Sequence, residues 1–386
     1  MVTKSNLFNV ETRIQAIPAQ DWNSLLGPDS TPFVHHAFLS LLEESACVCE
    51  KTGWQPNHIT LRDQDTNQLM AALPLYIKSH SYGEYVFDWA WAEAYAQHGL
   101  HYFPKALSAI PFTPVQGGRL LASTLENKKR LMEVLKSWVI EKNYSSAHIL
   151  FPPNDDIEHL EKNGFMTRNS IQFHWRNQNY HHFDDFLSSL NMKRRKNIKR
   201  ERRIVDDAGI TFEHIPGSSA SETDWLFFYQ CYANTYFEHG SPPYLNQLFF
   251  QGWGQAMPDY LHLIVAQKNQ QRIAASLLVV DRKQSTVYGR YWGCIESIPC
   301  LHFETAYYQA IEYCIQEKIQ VFEGGAQGQH KMARGFLPVT VQSAHYIQDP
   351  SFSLAIQRFL EREKNGIGHY LDELAEHSPL KSKPSS

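Results

Sequence analysis

The chain has 386 residues, 43% hydrophobic and 13% aromatic, with a formal net charge of -4 at pH 7. That length exceeds the about 100–200 residues of a single core, so two domains are expected, and the apolar content excludes wholesale disorder. No apolar run reaches the roughly 18–20 residues of a membrane helix, and the opening MVTKSNLFNVETRIQ lacks a secretory apolar stretch, so a cytoplasmic protein with no membrane span is expected.

A helix is predicted over 36–45, followed by two alternating apolar segments, 58–62 and 70–79, that read as a β-hairpin across the turn-rich residues 63–67. A strand over 85–89 precedes a helix-like stretch interrupted by Gly99 and Pro104, and Gly117-Gly118 leads into a helix over 125–142. Strand 147–151, helix 155–163 stopped by Gly164, and strand 171–175 complete an α/β unit by residue 178. The second half repeats this outline with helix 183–208, strand 210–215, helices 222–237 and 245–255, and strands 261–267, 272–281 and 285–292. A helix over 303–318 places Phe303, Tyr307, Ile311 and Ile315 on one face, and strand 320–323 follows it. Residues 352–375 read as a helix broken at Gly366 and Gly368, and 378–386 as a frayed tail. The expected organisation is therefore two α/β (α+β) domains, 1–178 and 179–350, each a mixed sheet flanked by helices, with 351–386 as a C-terminal helix and flexible tail.

The six cysteines, Cys47, Cys49, Cys231, Cys294, Cys300 and Cys314, contain no C-x-x-C, which points away from a zinc ribbon or disulfide framework, and no metal is expected. Charge is uneven. Residues 193–203, KRRKNIKRERR, carry eight Lys or Arg and one Glu, so this stretch is +7 and the remainder -11. As a helix it turns Ile198, Val205 and Met192 toward the protein, and Arg194, Arg195, Lys196, Lys199, Arg200 and Arg203 offer a stripe for a carrier's phosphates or a solvated face. No DNA- or RNA-binding module pattern is present.

Four phrases carry a resemblance: YGEYVFDWAWAEAYAQHGLHYFPKAL (82–107), PFTPVQGGRLL (111–121), HFETAYYQAIEYCI (302–315) and FEGGAQGQHKMARGFLP (322–338). Together they resemble the FemAB-like branch of the GNAT N-acyltransferases, and the basic helix resembles the one at the same place in the Fem aminoacyltransferases. The resemblance implies tandem GNAT-like folds and transfer of an acyl or aminoacyl group from CoA, an acyl carrier protein or an aminoacyl-tRNA to a small-molecule amine or peptide. The usual acetyl-CoA motif, Q/R-x-x-G-x-G/A before a helix, is only partly matched at Arg290-Tyr-Trp-Gly293.

Amine acylation needs an unprotonated amine and donors for the developing oxyanion. Glu304 and His302, at a helix start, and Glu323, at a strand end before Gly324-Gly325, are the candidate catalytic residues. A helix-dipole role for Glu304 and an ion pair of Glu323 with Lys331 or Arg334 are the structural alternatives. Gly324, Gly325, Gln327, Lys331 and Arg334 form a candidate anion-binding loop, joined by Arg290 and Tyr291. In the first half, Asp88, Trp89, Gln97, Tyr102, Lys105, Thr113 and Arg119 make an aromatic, polar surface suited to substrate recognition. A non-catalytic binder of an acyl or aminoacyl ligand is the alternative from another class.

Overall fold

In the computed structural model, residues 7–326 and 328–381 are described. The chain forms two compact units, Met1–Ser170 with Thr340–His369, and Ile171–Val339 with Tyr370–Ser386. The first thus stops at Ser170 rather than 178 and takes back a later segment.

The first unit opens with β1 (Leu7–Glu11), α1 (Ala19–Ser24), α2 (His36–Glu44), β2 (Trp54–Pro56), β3 (His58–Arg62), β4 (Leu69–Leu73) and β5 (Tyr76–Lys78). It continues through α3 (Trp89–Gln97), β6 (Lys105–Ser108), β7 (Leu121–Ala122), α4 (Leu125–Glu141), β8 (Ser146–Leu150), α5 (Asn154–Lys162) and β9 (Met166–Arg176). The hairpin β3–β4 lies in a sheet ordered β1-β3-β4-β7, while β2, β5, β6 and β8 are successive neighbours in another, with β6 and β8 parallel. Helix α4 forms where the apolar spacing predicts: Thr124 caps it by accepting from the Asn127 N–H. Its Leu131, Leu135, Trp138 and Val139 are buried with Ala147 and Ile149 of β8, and each such burial stabilises by roughly 1.5–3 kcal/mol. The strand expected over 85–89 does not form. Tyr85 takes a left-handed φ of 62°, and Asp88 turns inward to Lys105.

The second unit contains α6 (Phe183–Ser189), α7 (Met192–Asp207), β10 (Ile210–Pro216), α8 (Glu222–Glu238), α9 (Gln247–Ala256), β11 (Leu261–Lys268), β12 (Gln271–Asp281) and β13 (Thr286–Cys294). Then comes α10, residues 301–316, which is α-helical at Leu301–Phe303 and Gln309–Gln316 and has π geometry at Glu304–Tyr308. Strand β14 (Val321–Ala326) follows it, and the chain closes with β15 (Leu337–Ile347) and α11 (Pro350–Glu376), which lie mostly in the Thr340–His369 segment of the first unit. Strands run β10-β11-β12-β13-β14-β9, antiparallel except for the pair β13–β14. A parallel pair needs a crossover, and α10 is that crossover. Its Tyr308, Ile311, Cys314 and Ile315 are buried with Ile264, Leu278 and Phe322 of the sheet.

Three further expectations are revised. The helix over 183–208 is two helices, because Leu190 is extended and Asn191 restarts the helix by accepting from the Arg194 N–H at 3.0 Å. The C-terminal helix runs unbroken through Gly366 and Gly368. The chain up to Lys381 is held, with Leu380 bridging Leu190 and Asn191 N donating to Pro379 O at 2.9 Å. Among the described residues, no helix is long and apolar enough to cross a membrane.

Candidate active site

Strands β13 and β14 pair for only three residues, Thr286 with Val321, Val287 with Phe322 and Tyr288 with Glu323. Each keeps its other neighbour: β12 pairs β13 as far as Cys294, and β9 pairs β14 as far as Ala326, with a shift after Glu323. The pairing of these two parallel strands thus stops while both strands continue. Gly289, Arg290, Tyr291 and Trp292 on one side and Phe322 and Gly324 on the other line a pocket of about 120 Å³, closed by Ser276 and by His302 and Tyr307 of α10. Glycine is required at two of these positions. A Cβ on Gly289 would lie 2.7 Å from the Phe322 ring, and one on Gly324 2.9 Å from the Phe336 ring.

His302 and Tyr307, five residues apart with the π segment between them, both reach the pocket. His302 stacks on Trp292, centroids 4.6 Å apart and planes 23° apart, and Tyr307 Oη lies 3.3 Å from His330 Nε2. Burial, helped by the charges of Arg334 and Lys331, holds the His302 imidazole down at about 4, so it is neutral at pH 7. Glu304, two residues on, points elsewhere. It is 3% exposed and lines a separate pocket with Arg202 and Gln309. The structure therefore does not bring Glu304 and Glu323 to one cleft, because Arg202 Nε and Gln309 Nε2 hold Glu304 Oε1 at 3.1 and 2.8 Å.

Glu323 lies on β14 beside the wedge that β13 and β14 leave where their pairing ends, and burial pushes its carboxyl up to about 8 against the pull of Arg290 and Arg176. Lys331 is buried, donates to Gly325 O at 3.0 Å, and is lowered to about 8 by burial and by Arg290. Gly325 has the left-handed φ of 80° that the loop requires. Arg334 is engaged elsewhere: it donates to Glu201 at 3.1 Å and to His330 O at 2.7 Å and stacks 3.3 Å over Phe303. The expected joint use of Lys331 and Arg334 on one anion is replaced by an ion pair between Arg334 and α7. Gln327 lies outside the described residues.

In α7, Ile198 and Val205 are buried as the spacing predicts, whereas Met192 is 63% exposed. Lys196, Lys199, Arg200 and Arg203 are exposed and Arg194 and Arg195 half-buried, while Glu201 and Arg202 turn inward.

The first-half residues do not form an open surface. Asp88, Tyr102, Lys105, Thr113 and Arg119 are buried, and only Trp89 and Gln97 are exposed. Lys105 Nζ donates to Glu84 at 2.8 Å, Ser81 at 2.9 Å and Asp88; Tyr102 donates to Asp88 at 2.6 Å and lies 3.1 Å from His148. His148 reaches His345 at 2.7 Å. Arg119 is spent on the carbonyls of Val115 and Gly117. Glu84, His148 and His345 were missed in the sequence, as were Trp292, Tyr307 and Ser276 at the wedge. Among these, Trp292 carried a local signal in its two-residue spacing from Arg290, and Tyr307 in its place on the apolar face of helix 303–318.

The segment ahead of α10 does not offer an unbroken run of amide donors. A cradle for a pyrophosphate needs consecutive amide donors. Here Pro299 has none, and Glu296 is ion-paired with Lys268 at 2.5 Å.

A mixed sheet whose two central parallel strands part over a pocket, with the crossover helix supplying polar side chains, defines an α/β fold of the tandem GNAT-like class. The chain belongs to the FemAB-like family, described as peptidoglycan biosynthesis/recognition, whose model matches residues 13–382. Two solved structures share the fold, each with a TM-score of 0.52 and 88% of this chain covered. One is the domain assigned as the C-terminal part (DUF2156) of a lysylphosphatidylglycerol synthetase from Agrobacterium fabrum, at 8% identity over 95% of that chain. The other is FemX, at 12% identity over 98% of that chain. A tandem GNAT protein from the clavulanic acid biosynthesis pathway matches at 8% identity, 90% of this chain and 99% of that chain, with a TM-score of 0.48. No curated protein sequence matches the chain.

Proposed function

We propose that this protein is a bacterial, cytoplasmic N-acyltransferase of the GNAT superfamily that moves an acyl or aminoacyl group from an activated carrier to the amine of a small molecule or peptide. The observation that carries this reading is the wedge between β13 and β14, where pairing ends and the strands still run on. The donor's carbonyl enters the wedge, where backbone N–H groups of the parted strands stabilise the developing oxyanion. His302, neutral at pH 7, accepts a hydrogen bond from the attacking amine and orients it. The new N–C bond forms as the carbonyl carbon's bond to the carrier's oxygen or sulfur breaks, and the departing atom takes up the proton that the nitrogen loses. Lys331 and Glu323, each brought to about 8, are the groups that move this proton near neutral pH. Arg290 holds a negative group of the donor or acceptor.

The amide run broken at Pro299 favours an aminoacyl-tRNA or acyl carrier protein over CoA as donor, with the exposed cations of α7 meeting its phosphates. A peptide of a peptidoglycan precursor is the acceptor class that the family description favours. The test is incubation of the purified protein with aminoacyl-tRNA, acyl carrier protein thioesters or acyl-CoA and a panel of amines and precursor peptides, with mass spectrometry of the acceptor. An acylated acceptor with one carrier class supports the reading. Ligand retention without any acylated product would make the protein a binder.

A further inference from the structure

His302 and Trp292 reach the wedge from different elements, His302 from the first turn of α10 and Trp292 from β13 beyond the last residue that pairs with β14. Their rings stack with centroids 4.6 Å apart and planes 23° apart, and the Tyr307 ring stands 5.4 Å from the imidazole at 49°. Both residues are half-buried and line the pocket, so the stacked pair faces a substrate rather than a closed core. Among the described residues no hydrogen bond holds either ring nitrogen of His302, so the rings around it are what set its plane. Trp292 itself is anchored. Its carbonyl accepts from Thr235 Oγ1 at 3.1 Å, and Asn234 Nδ2 donates to Cys294 O at 2.8 Å, which fixes this part of β13 against α8 where β14 is no longer beside it.

We propose that Trp292 is a positioning residue for the transfer reaction: its indole face holds the His302 imidazole in one plane, edge toward the wedge, and covers a face that water would otherwise reach. This rests on the reading that His302 orients the attacking amine. A ring stacked at this distance and tilt gains contact over its whole face and resists turning out of that plane. The ring nitrogens lie in the plane and are left for the substrate. Arg290 of β13 and Tyr307 of α10 share the pocket, and His330, Lys331 and Arg334 of the turn Gln329–Arg334 add to burial, the largest cause, in opposing a proton on His302. The attraction of an indole for a charged imidazole is the weaker influence, since His302 is held down to about 4 beside it. Removing Trp292 therefore frees the ring and lets it take up a proton nearer neutral pH.

The test is a pH titration by NMR of the full-length protein carrying isotope-labelled histidine, with the His302 resonances identified by their loss in His302→Gln. In the wild type the imidazole protons are expected upfield of an exposed histidine, shielded by the indole, with a midpoint near 4. Trp292→Ser, checked for folding by circular dichroism, should lose the upfield shift and raise the midpoint by about one unit or more. Trp292→Phe keeps a flat face and should preserve both. Trp292→Met fills the space without a ring and should lose the upfield shift even if Trp292→Ser does not fold. In transfer assays Trp292→Ser should lower kcat about ten-fold with KM little changed, and Trp292→Phe should restore most of the rate. The acid limb of the Trp292→Ser profile should move up from near 4, because the rate is lost as pH falls through the value at which His302 gains its proton. The proposal is overturned if the His302 resonances and midpoint are unchanged in folded Trp292→Ser or Trp292→Met, or if Trp292→Phe loses as much rate as Trp292→Ser. Full rate in His302→Gln would instead overturn the amine-orienting reading, which the NMR comparison does not probe.

Discussion

The buried cluster around Lys105 in the first unit and the wedge around His302 in the second are built from similar letters, a few carboxylates, cations, histidines and tyrosines, and they differ in what those groups face. In the first, Lys105, Asp88, Glu84, Tyr102 and His148 are each at most 4% exposed and bond one another. In the second, Arg290, His302 and Tyr307 line an open pocket. The first cluster is closed around a buried ion pair, with Glu84 Oε1 and Asp88 Oδ1 left buried without a hydrogen-bond partner among the described residues, whereas the second surrounds a space. The first half's dense aromatic and polar phrase is thus mostly packed inward, and the reaction proposed above is placed in the second.

The largest effect that sharpens this contrast comes from Lys105→Met. It leaves Asp88 and Glu84 buried without their cation and should cost about 3–5 kcal/mol in denaturant unfolding, with the rate per folded molecule unchanged. A stable variant with lost transfer would reverse the roles of the two regions. Next is Arg334→Gln, which breaks the contact with Glu201 and should cost about 1–3 kcal/mol; a rate loss with full stability would return Arg334 to substrate binding.

A smaller effect separates Glu323 by pH. Its folded carboxyl titrates near 8 against an ordinary 4.5, so the fold binds the extra proton between these values. Its contribution is fully present below about 4.5 and is lost as pH rises through about 8. Unfolding free energies from pH 5 to 9 should fall less steeply in Glu323→Gln than in the wild type. Smallest in stability is reversal of Lys196, Lys199 and Arg200 to Glu, expected to stay within about 0.5 kcal/mol because all three are exposed. The same variant should lose donor affinity and flatten its salt dependence. Unchanged affinity would make the stripe a solvated face.

The sequence carried those parts of the fold that depend on local spacing. Helix α4, the β3–β4 hairpin and strands β10 to β13 follow apolar periodicity and turn residues close by. What it hid depends on distant partners. Leu190 ends a helix and bridges Leu380, far along the chain, and β15 begins with Leu337-Pro338 and has little alternation. At the site, Arg290, Tyr291, His302 and Gly324 were legible and do meet at one pocket. The partner that holds Glu304 was not, since Arg202 comes from α7, far away in the chain; that His302 and Glu304 face apart follows from their two-residue spacing on a helix.

Those two residues supply the most direct test. His302→Gln and Glu304→Gln, compared at saturating substrates per folded molecule, should differ sharply: His302→Gln about 10²-fold slower than wild type because the amine loses its orienting partner, and Glu304→Gln close to wild type. Equal rates for His302→Gln and wild type, with Glu304→Gln the slow variant, would contradict a reaction centre in the wedge.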